Sequence, residues 1–411
     1  MSEPLPLHGI RVMDLTRALS GPFCTTLLGD LGADIVKIES VKSGDSARIW
    51  PPFEDDHSLY FEAVNRGKKS IAIDFYSDEG RAILQDIARK SDVIVENFRP
   101  GVLAKTGLDP VALRKDNPDL VVQSISGFGQ SGPMSQYAGL DQVIQAMSGI
   151  MSVTGSDPDN TYRVGLPIID IVTGIFSALG VTAALAGRAQ MSTGLDVATS
   201  LLESAVAISV FHGQSTLSNH TVPVPHGNDH PVIVPYGVFA TKDVPIVIAV
   251  GSDKHWSTFC KLIGLPNLPD DPRYVESGDR FANRDVLKTD LEAALVQKPA
   301  AQWMHAIREA GIPAGPIYTY DQVFQDEQVN ALEMVQTVRR QDGSTLPLVR
   351  GPLSVNGQPT PVQSAPPTLG SGTKEVLESI GYTVDQIRNL ANNGVIRLPD
   401  EAETGRVDAR S

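Results

Sequence analysis

The 411-residue sequence predicts an α/β fold whose larger part is a Rossmann-like, doubly wound parallel sheet. Through residues 1–125, short Val/Ile-rich runs alternate with helix-like segments, the pattern of a parallel sheet with helices on both faces. The composition is that of an ordinary globular chain, 41% hydrophobic and 20% charged, and its 36 glycines and 29 prolines imply many turns between short elements. At this length there is room for a second, smaller domain.

The elements follow in order. IRVMDL (10–15) is a strand, GPFCTTLLGDLG (21–32) a helix and ADIVKIE (33–39) a second strand. KSIAIDF (69–75) is a third strand, and the helical SDEGRAILQDIARKS after it has Ser77 placed to cap an acidic first turn. SDVIVENF and DLVVQSIS complete the set. The uncharged run 171–187 reads as a buried core helix; it is at the lower limit for a membrane span. LDVATSLLESAVAISVFHG (195–213) reads as a second long helix.

Composition then shifts to the Pro- and His-dense TVPVPHGNDHPVIVP (221–235), a linker and loop. A small inserted α+β domain is expected beyond it, with VPYGVFA and PIVIAVG as a hairpin followed by three helices. The expected division is 1–215 for the first part of the large domain, 216–233 for a linker and 234–325 for the small domain. Residues 326–411 form a further linker and C-terminal helices that return to the large domain. Residues 355–372 are an extended Pro/Gly/Ser-rich connector, and PDEAETGRVDARS at the end is polar and expected to fray.

Several function classes are disfavoured. A net charge of −14 argues against nucleic acid as a partner, and no membrane association is expected. The N-terminus lacks a signal-peptide pattern, and the two cysteines, Cys24 and Cys260, show no disulfide or metal spacing; a reducing, cytoplasmic location is expected. No HExxH, CxxC or GxSxG occurs, so no metal is expected. His226 and His230 share a loop at i and i+4, where two loop histidines with polar neighbours are favoured over a metal site. GFGQSG (127–132) matches GxGxxG, but Pro133 and a turn-rich stretch follow where a dinucleotide site needs a helix. Lys37, Lys42, Lys68, Lys69, Arg99 and Lys105 fall near strand ends, where open α/β sheets bind ligands, or are a solvated scattering of charge.

GLPIIDIVTG (165–174) sets one carboxylate, Asp170, in an apolar run. Three readings are open: a cap for the helix that follows, a buried partner of an arginine, or a reactive carboxylate kept ionised by that helix end.

Several motifs together resemble the family III CoA-transferases, the group that includes formyl-CoA and carnitine CoA-transferases. They are LHGIRVMDLTRALSGPFCTTLLGDLGADIVKIE, YFEAVNRGKKSIAID, DVIVENFRPGVLAKTGL, SGFGQSGP and APPTLGSGTKEVLESIGYTVDQIRNLANNGVI, spread over nearly the whole chain. The resemblance implies that Asp170 is the catalytic residue, attacking an acyl-CoA thioester. It also implies an obligate, interlocked homodimer with CoA thioesters as substrates and no permanently bound cofactor.

The CoA site it implies comprises Ala18, Leu19 and Ser20, then Ile73, Asp74, Phe75 and Tyr76. Asn97, Phe98, Arg99 and Lys105 follow, and Ala138, Gly139, Leu140 and Asp141 close it. Leu19 and Ser40 stand where formyl-CoA transferases carry glutamine and arginine, and HGNDHPVIVPYG replaces a glycine-run lid, which argues against formate and oxalate exchange. The α-methylacyl-CoA racemases of the same superfamily need a histidine where Gly139-Leu140-Asp141 has none, and an inactive CoA-binding protein would have no need of Asp170. GNDHPVIVPYGVFATKD, in the lid region, resembles the succinyl-CoA:dicarboxylate branch. For such an acceptor the distal carboxylate would be read by Arg17 or by the loop of His226, Gly227, Asn228 and His230.

Overall fold

A computed structural model describes residues 4–399; most of the C-terminal tail, residues 400–411, lies outside them. The chain divides into two compact units, residues 1–150, 163–221 and 327–411, and residues 151–162 with 222–326. The sheet of the first unit is built from β1 (Arg11–Asp14), β2 (Asp34–Ser40), β3 (Lys68–Ile73), β4 (Val93–Glu96), β5 (Val121–Ser126) and β6 (Asp196–Ser200). Its order is β6-β5-β4-β1-β2-β3, all parallel, with Ile396–Arg397 added antiparallel beside β3. The order reverses between β1 and β4, so loops leaving their carboxyl ends diverge and open a crevice there, where ligands of this fold class sit.

Alternate residues of these strands enter two cores, one on each face. Met13, Val36, Ile38, Ile94 and Val122 pack under α2 (Asp78–Arg89) and the C-terminal residues Val376, Leu377 and Ile387. Val12, Ile35, Val93, Val95 and Val121 pack under α1 (Ser20–Asp30), from Cys24 and Leu28, and under the long helix Ile168–Gly187. Cover on both faces is why the strands read as continuous apolar runs.

Two sequence expectations change here. The stretch Asp196–Ser200 is a strand, β6, paired with β5 from Asp196–Val122 to Ser200–Ser126. The helical run splits into Leu201–Ala207 and Val210–Asn219. As an edge strand with exposed positions, β6 lacks the apolar run that marks its neighbours. The helix Ile168–Gly187 is a core helix on one side only. Ile169, Thr173, Ser177, Val181 and Ala184 are buried, while Ile175 and Leu179 are exposed. Among the described residues it is the one helix long and apolar enough to cross a membrane, and its buried stripe belongs to the sheet's core.

The second unit has a three-stranded antiparallel sheet, Tyr236–Phe239 beside Ile246–Ala249 beside Ala314–Pro316. Helices Asp253–Leu262, Arg284–Leu295 and Ala300–Glu309 close its core with Trp256, Phe259, Leu291, Trp303 and Ile307. Residues 151–162 cluster with this unit rather than with the large sheet. In the first unit, Val335–Arg339 pairs with Thr345–Val349, and the Pro-rich connector after it is pinned, Gln363 Nε2 donating to the Gly29 carbonyl.

Candidate active site

The turn after β1 (residues 15–20) and the loop after β4 meet at the reversal point of the sheet. Asn97 joins them: its Oδ1 accepts the Arg17 N–H at 2.9 Å and its amide donates to the Arg17 carbonyl at 2.8 Å. The Arg17 guanidinium carbon lies 5.5 Å from the centroid of the Phe98 ring. Ala18 has φ 68°, a left-handed conformation that costs a non-glycine residue of order 1–3 kcal/mol. Leu19 and Ser20 are buried, and Ser20 opens α1.

From that position Ser20 lies beside the Asp170 carboxyl, and its hydroxyl acts to lower that group's pKa. The approach is close, because a Cβ on Gly174 would lie 2.7 Å from the Ser20 carbonyl oxygen; only glycine lets the two helices meet this way. Asp170 is the third residue of its helix, whose N-cap position is Pro167. The capping reading of Asp170 is therefore corrected. Proline has no side-chain oxygen to offer, and Asp141 does the work from another helix, Asp141–Met147. Its Oδ1 accepts the Ile169 and Asp170 N–H groups at 2.8 and 3.2 Å, and its Oδ2 accepts from Gln145 at 2.6 Å.

This arrangement shifts acidity. Burial, then the negative charge of Asp141, push the Asp170 carboxyl up to about 6, with the Ser20 hydroxyl acting the other way. Even so, a carboxyl of that acidity is roughly nine-tenths ionised at pH 7, poorly solvated and so nucleophilic.

The other sequence candidates separate. Tyr76, Arg99, Lys105, Ala138 and Leu140 are exposed, and Gly139 crosses Gly127 so closely that a Cβ on either would sit 2.6 Å from the other's Cα. That crossing is the use of the first glycine in GFGQSG. Asp74 caps the turn into Tyr76 through the Tyr76 N–H, and Phe75 packs against the sheet core. The Ile73 side chain is wholly within that core and has no surface to offer a ligand. Lys37 and Lys68 are not ligand groups either. Both are fully buried, paired with Asp45 and Asp14 at 2.9 and 3.1 Å.

In the second unit, Arg284 donates to His226 Nδ1 at 3.4 Å, and Gly227 (φ 59°) donates its N–H to the Gly155 carbonyl. Asp229, next to Asn228, is held by Lys288 at 2.8 Å. His230 stacks on Tyr236, and its Nδ1 accepts the N–H groups of Val232 and Ile233, which places the ring proton on Nε2. Among the described residues no group of three or more His, Cys, Asp or Glu is placed to hold a metal.

Tyr60 went unnoticed in the sequence. Its hydroxyl is pushed up by burial and by the charges of Asp170, Asp141 and Asp45, which places it in their field, and its ring meets Trp50 edge-on at 5.1 Å. No local pattern marks it, because its neighbours come from distant segments.

A doubly wound sheet with a desolvated carboxylate beside its crevice defines an α/β enzyme fit for covalent transfer. Residues 7–373 match the profile of CoA-transferase family III, and the chain belongs to that family. It is therefore a CoA-transferase that uses CoA thioesters as substrates. It is 42% identical to the acetyl-CoA:oxalate CoA-transferase of Acetobacter aceti over 76% of this chain and 80% of that one. It is 35% identical to the succinate–glutarate CoA-transferase of Agrobacterium fabrum over 91% and 96%. The crystal structure of a CAIB/BAIF family protein from Brucella suis superposes with a TM-score of 0.81 at 34% identity, covering 92% of this chain and all of that one.

Proposed function

We propose that Asp170 is the nucleophile of a CoA exchange from succinyl-CoA to a short dicarboxylate. The Asp170 carboxylate attacks the thioester carbonyl, the C–S bond breaks, and a mixed aspartyl anhydride and CoA thiolate result. The thiolate attacks the aspartyl carbonyl, releasing succinate and leaving an aspartyl-CoA thioester. The acceptor carboxylate attacks that thioester, and the thiolate set free attacks the acceptor's carbonyl, restoring the Asp170 carboxylate. Every step conserves an activated acyl group, so water must be kept out. The observation that carries this reading is the largely desolvated Asp170, with Asp141 and Ser20 beside it, near the reversal point of the sheet.

The acceptor class is supported by the names of the relatives, in which oxalate and glutarate are both dicarboxylates; one name pairs its dicarboxylate with succinate, the other with acetyl-CoA. Oxalate thus returns as a candidate despite the departures at Leu19 and Ser40. For the distal carboxylate, Arg17 has the better support, being exposed and in the same turn as Ser20. A homodimer belongs to the same reading. Ile175, Leu179, Val206, Val210 and Leu217 expose apolar side chains along three consecutive helices, surface that a second copy could cover. So does a cytoplasmic location, supported by two free, buried cysteines.

The experiment is a matrix of acyl-CoA donors against glutarate, itaconate, mesaconate, malate, oxalate and butyrate, read by mass spectrometry. The reading expects dicarboxylates to outpace butyrate, and Arg17→Ala to erase that margin. A preference for butyrate, or a dicarboxylate preference untouched in both Arg17→Ala and His230→Ala, overturns it.

A further inference from the structure

The turn that carries Ser20 is gripped at every polar backbone group from Thr16 to the Ala18 N–H. Thr16 N–H donates to Asp14 Oδ1 at 2.9 Å, and Asn97 takes both groups of Arg17. The two remaining groups flank Arg17 and have opposite polarity: the Thr16 carbonyl needs a donor and the Ala18 N–H an acceptor. Lys37 Nζ meets the first at 2.9 Å and Asp45 Oδ1 the second at 3.1 Å. The two side chains are bound to each other at 2.9 Å, and both are wholly out of water. Asp45 Oδ1 also accepts the Ala47 N–H at 3.0 Å, so the carboxylate cannot turn away.

A buried ion pair is a poor way to gain stability, since apolar residues of similar volume do as well or better. What this pair supplies is position. It spans the peptide groups on either side of Arg17 and keeps Ala18 left-handed, one residue before Leu19 and two before Ser20. An amide at position 45 could still accept from Ala18 and Ala47 but would turn its N–H groups toward the Lys37 ammonium.

We propose that Asp45, with Lys37 behind it, is a positioning residue for the transfer reaction: the pair holds the strained turn so that the Ser20 end of α1 stays seated against the helix that carries Asp170. This rests on the reading of Asp170 as nucleophile.

The test measures the rate of acyl or CoA attachment to Asp170 at saturating succinyl-CoA, by rapid quench, hydroxylamine trapping and peptide mass spectrometry, with kcat and KM alongside. Asp45→Asn is expected to slow attachment by about tenfold or more, with the donor KM changed by less than about threefold. Adding Ala18→Gly to Asp45→Asn is expected to recover about threefold or more, because glycine takes the left-handed conformation without the clamp. A general loss of packing would not be repaired by a half-exposed glycine. Ala18→Val leaves the buried pair intact and opposes the turn directly, so it serves if Asp45→Asn fails to fold; it too is expected to slow attachment. Attachment at the wild-type rate in Asp45→Asn or Ala18→Val, or no recovery with glycine, overturns the proposal. Absence of any adduct on Asp170 in the wild type overturns the nucleophile reading itself, and this proposal with it.

Discussion

Asp14 and Asp170 are both carboxylates taken largely out of water in the same sheet-centred unit, and their acidities move in opposite directions. Burial pushes Asp14 up, but Lys68, Lys37 and the hydroxyls of Thr16 and Thr25 more than offset it and bring it down to about 2. Burial pushes Asp170 up as well, and there the nearest charge is another carboxylate, Asp141, so it stands at about 6. Around Asp14 three carboxylates (Asp14, Glu39, Asp45) face three cations (Lys37, Arg48, Lys68). Around Asp170 no cation contributes to the shift. A paired buried carboxylate holds structure; an unpaired one is kept poised to react.

The largest expected effect breaks the reactive side. Asp170→Ala should lower CoA exchange by at least about 1,000-fold while CoA binding, read by calorimetry, stays close to wild type. On the structural side, Asp14→Ala leaves Lys68 buried without its carboxylate. It should cost about 3–5 kcal/mol, read as a fall in the denaturant midpoint. Asp170→Asn should do the reverse and stabilise the fold by about 1–2 kcal/mol at pH 7, because it removes a desolvated charge.

The pH responses should also separate the two. The folded-state acidity of Asp170 lies above its unfolded value, so its favourable contribution is full below about pH 4 and is lost as pH rises through about 6. For Asp14 the folded value is depressed, so its contribution is present above about pH 4 and is lost as pH falls toward about 2. On the proposed mechanism turnover needs the Asp170 carboxylate, so the acid limb of kcat/KM should bend near pH 6. A limb at the ordinary carboxylate value near 4 would mean that Asp170 is better solvated or better paired than the structure shows.

What was legible in the sequence was whatever local pattern encodes. The Val/Ile runs of β1 to β5 announced a parallel sheet because both faces of those strands are covered. Asp170 stood out as a lone charge in an apolar run. What the sequence did not show was set by tertiary packing, which leaves no local pattern. A cap role stayed among the open readings of Asp170 because Asp141, which takes the helix N–H groups, lies 29 residues earlier. Neither open reading of Lys37 and Lys68, ligand groups or solvated surface charge, foresaw their burial against Asp45 and Asp14. The strand Asp196–Ser200 was merged into a helix because an edge strand needs no apolar run. Tyr60 had no local mark at all.

The most direct measurement incubates the protein with succinyl-CoA, traps activated carboxyls with hydroxylamine and maps the modified peptides by mass spectrometry. Attack on either the anhydride or the aspartyl-CoA thioester converts the side chain to a hydroxamate and releases the acid or CoA thiol. A hydroxamate at Asp170 alone, formed only when the thioester is present, is the expected result. A hydroxamate at Asp141 or any other carboxyl, or continued turnover with Asp170 unmodified, would contradict the assignment of Asp170 as nucleophile.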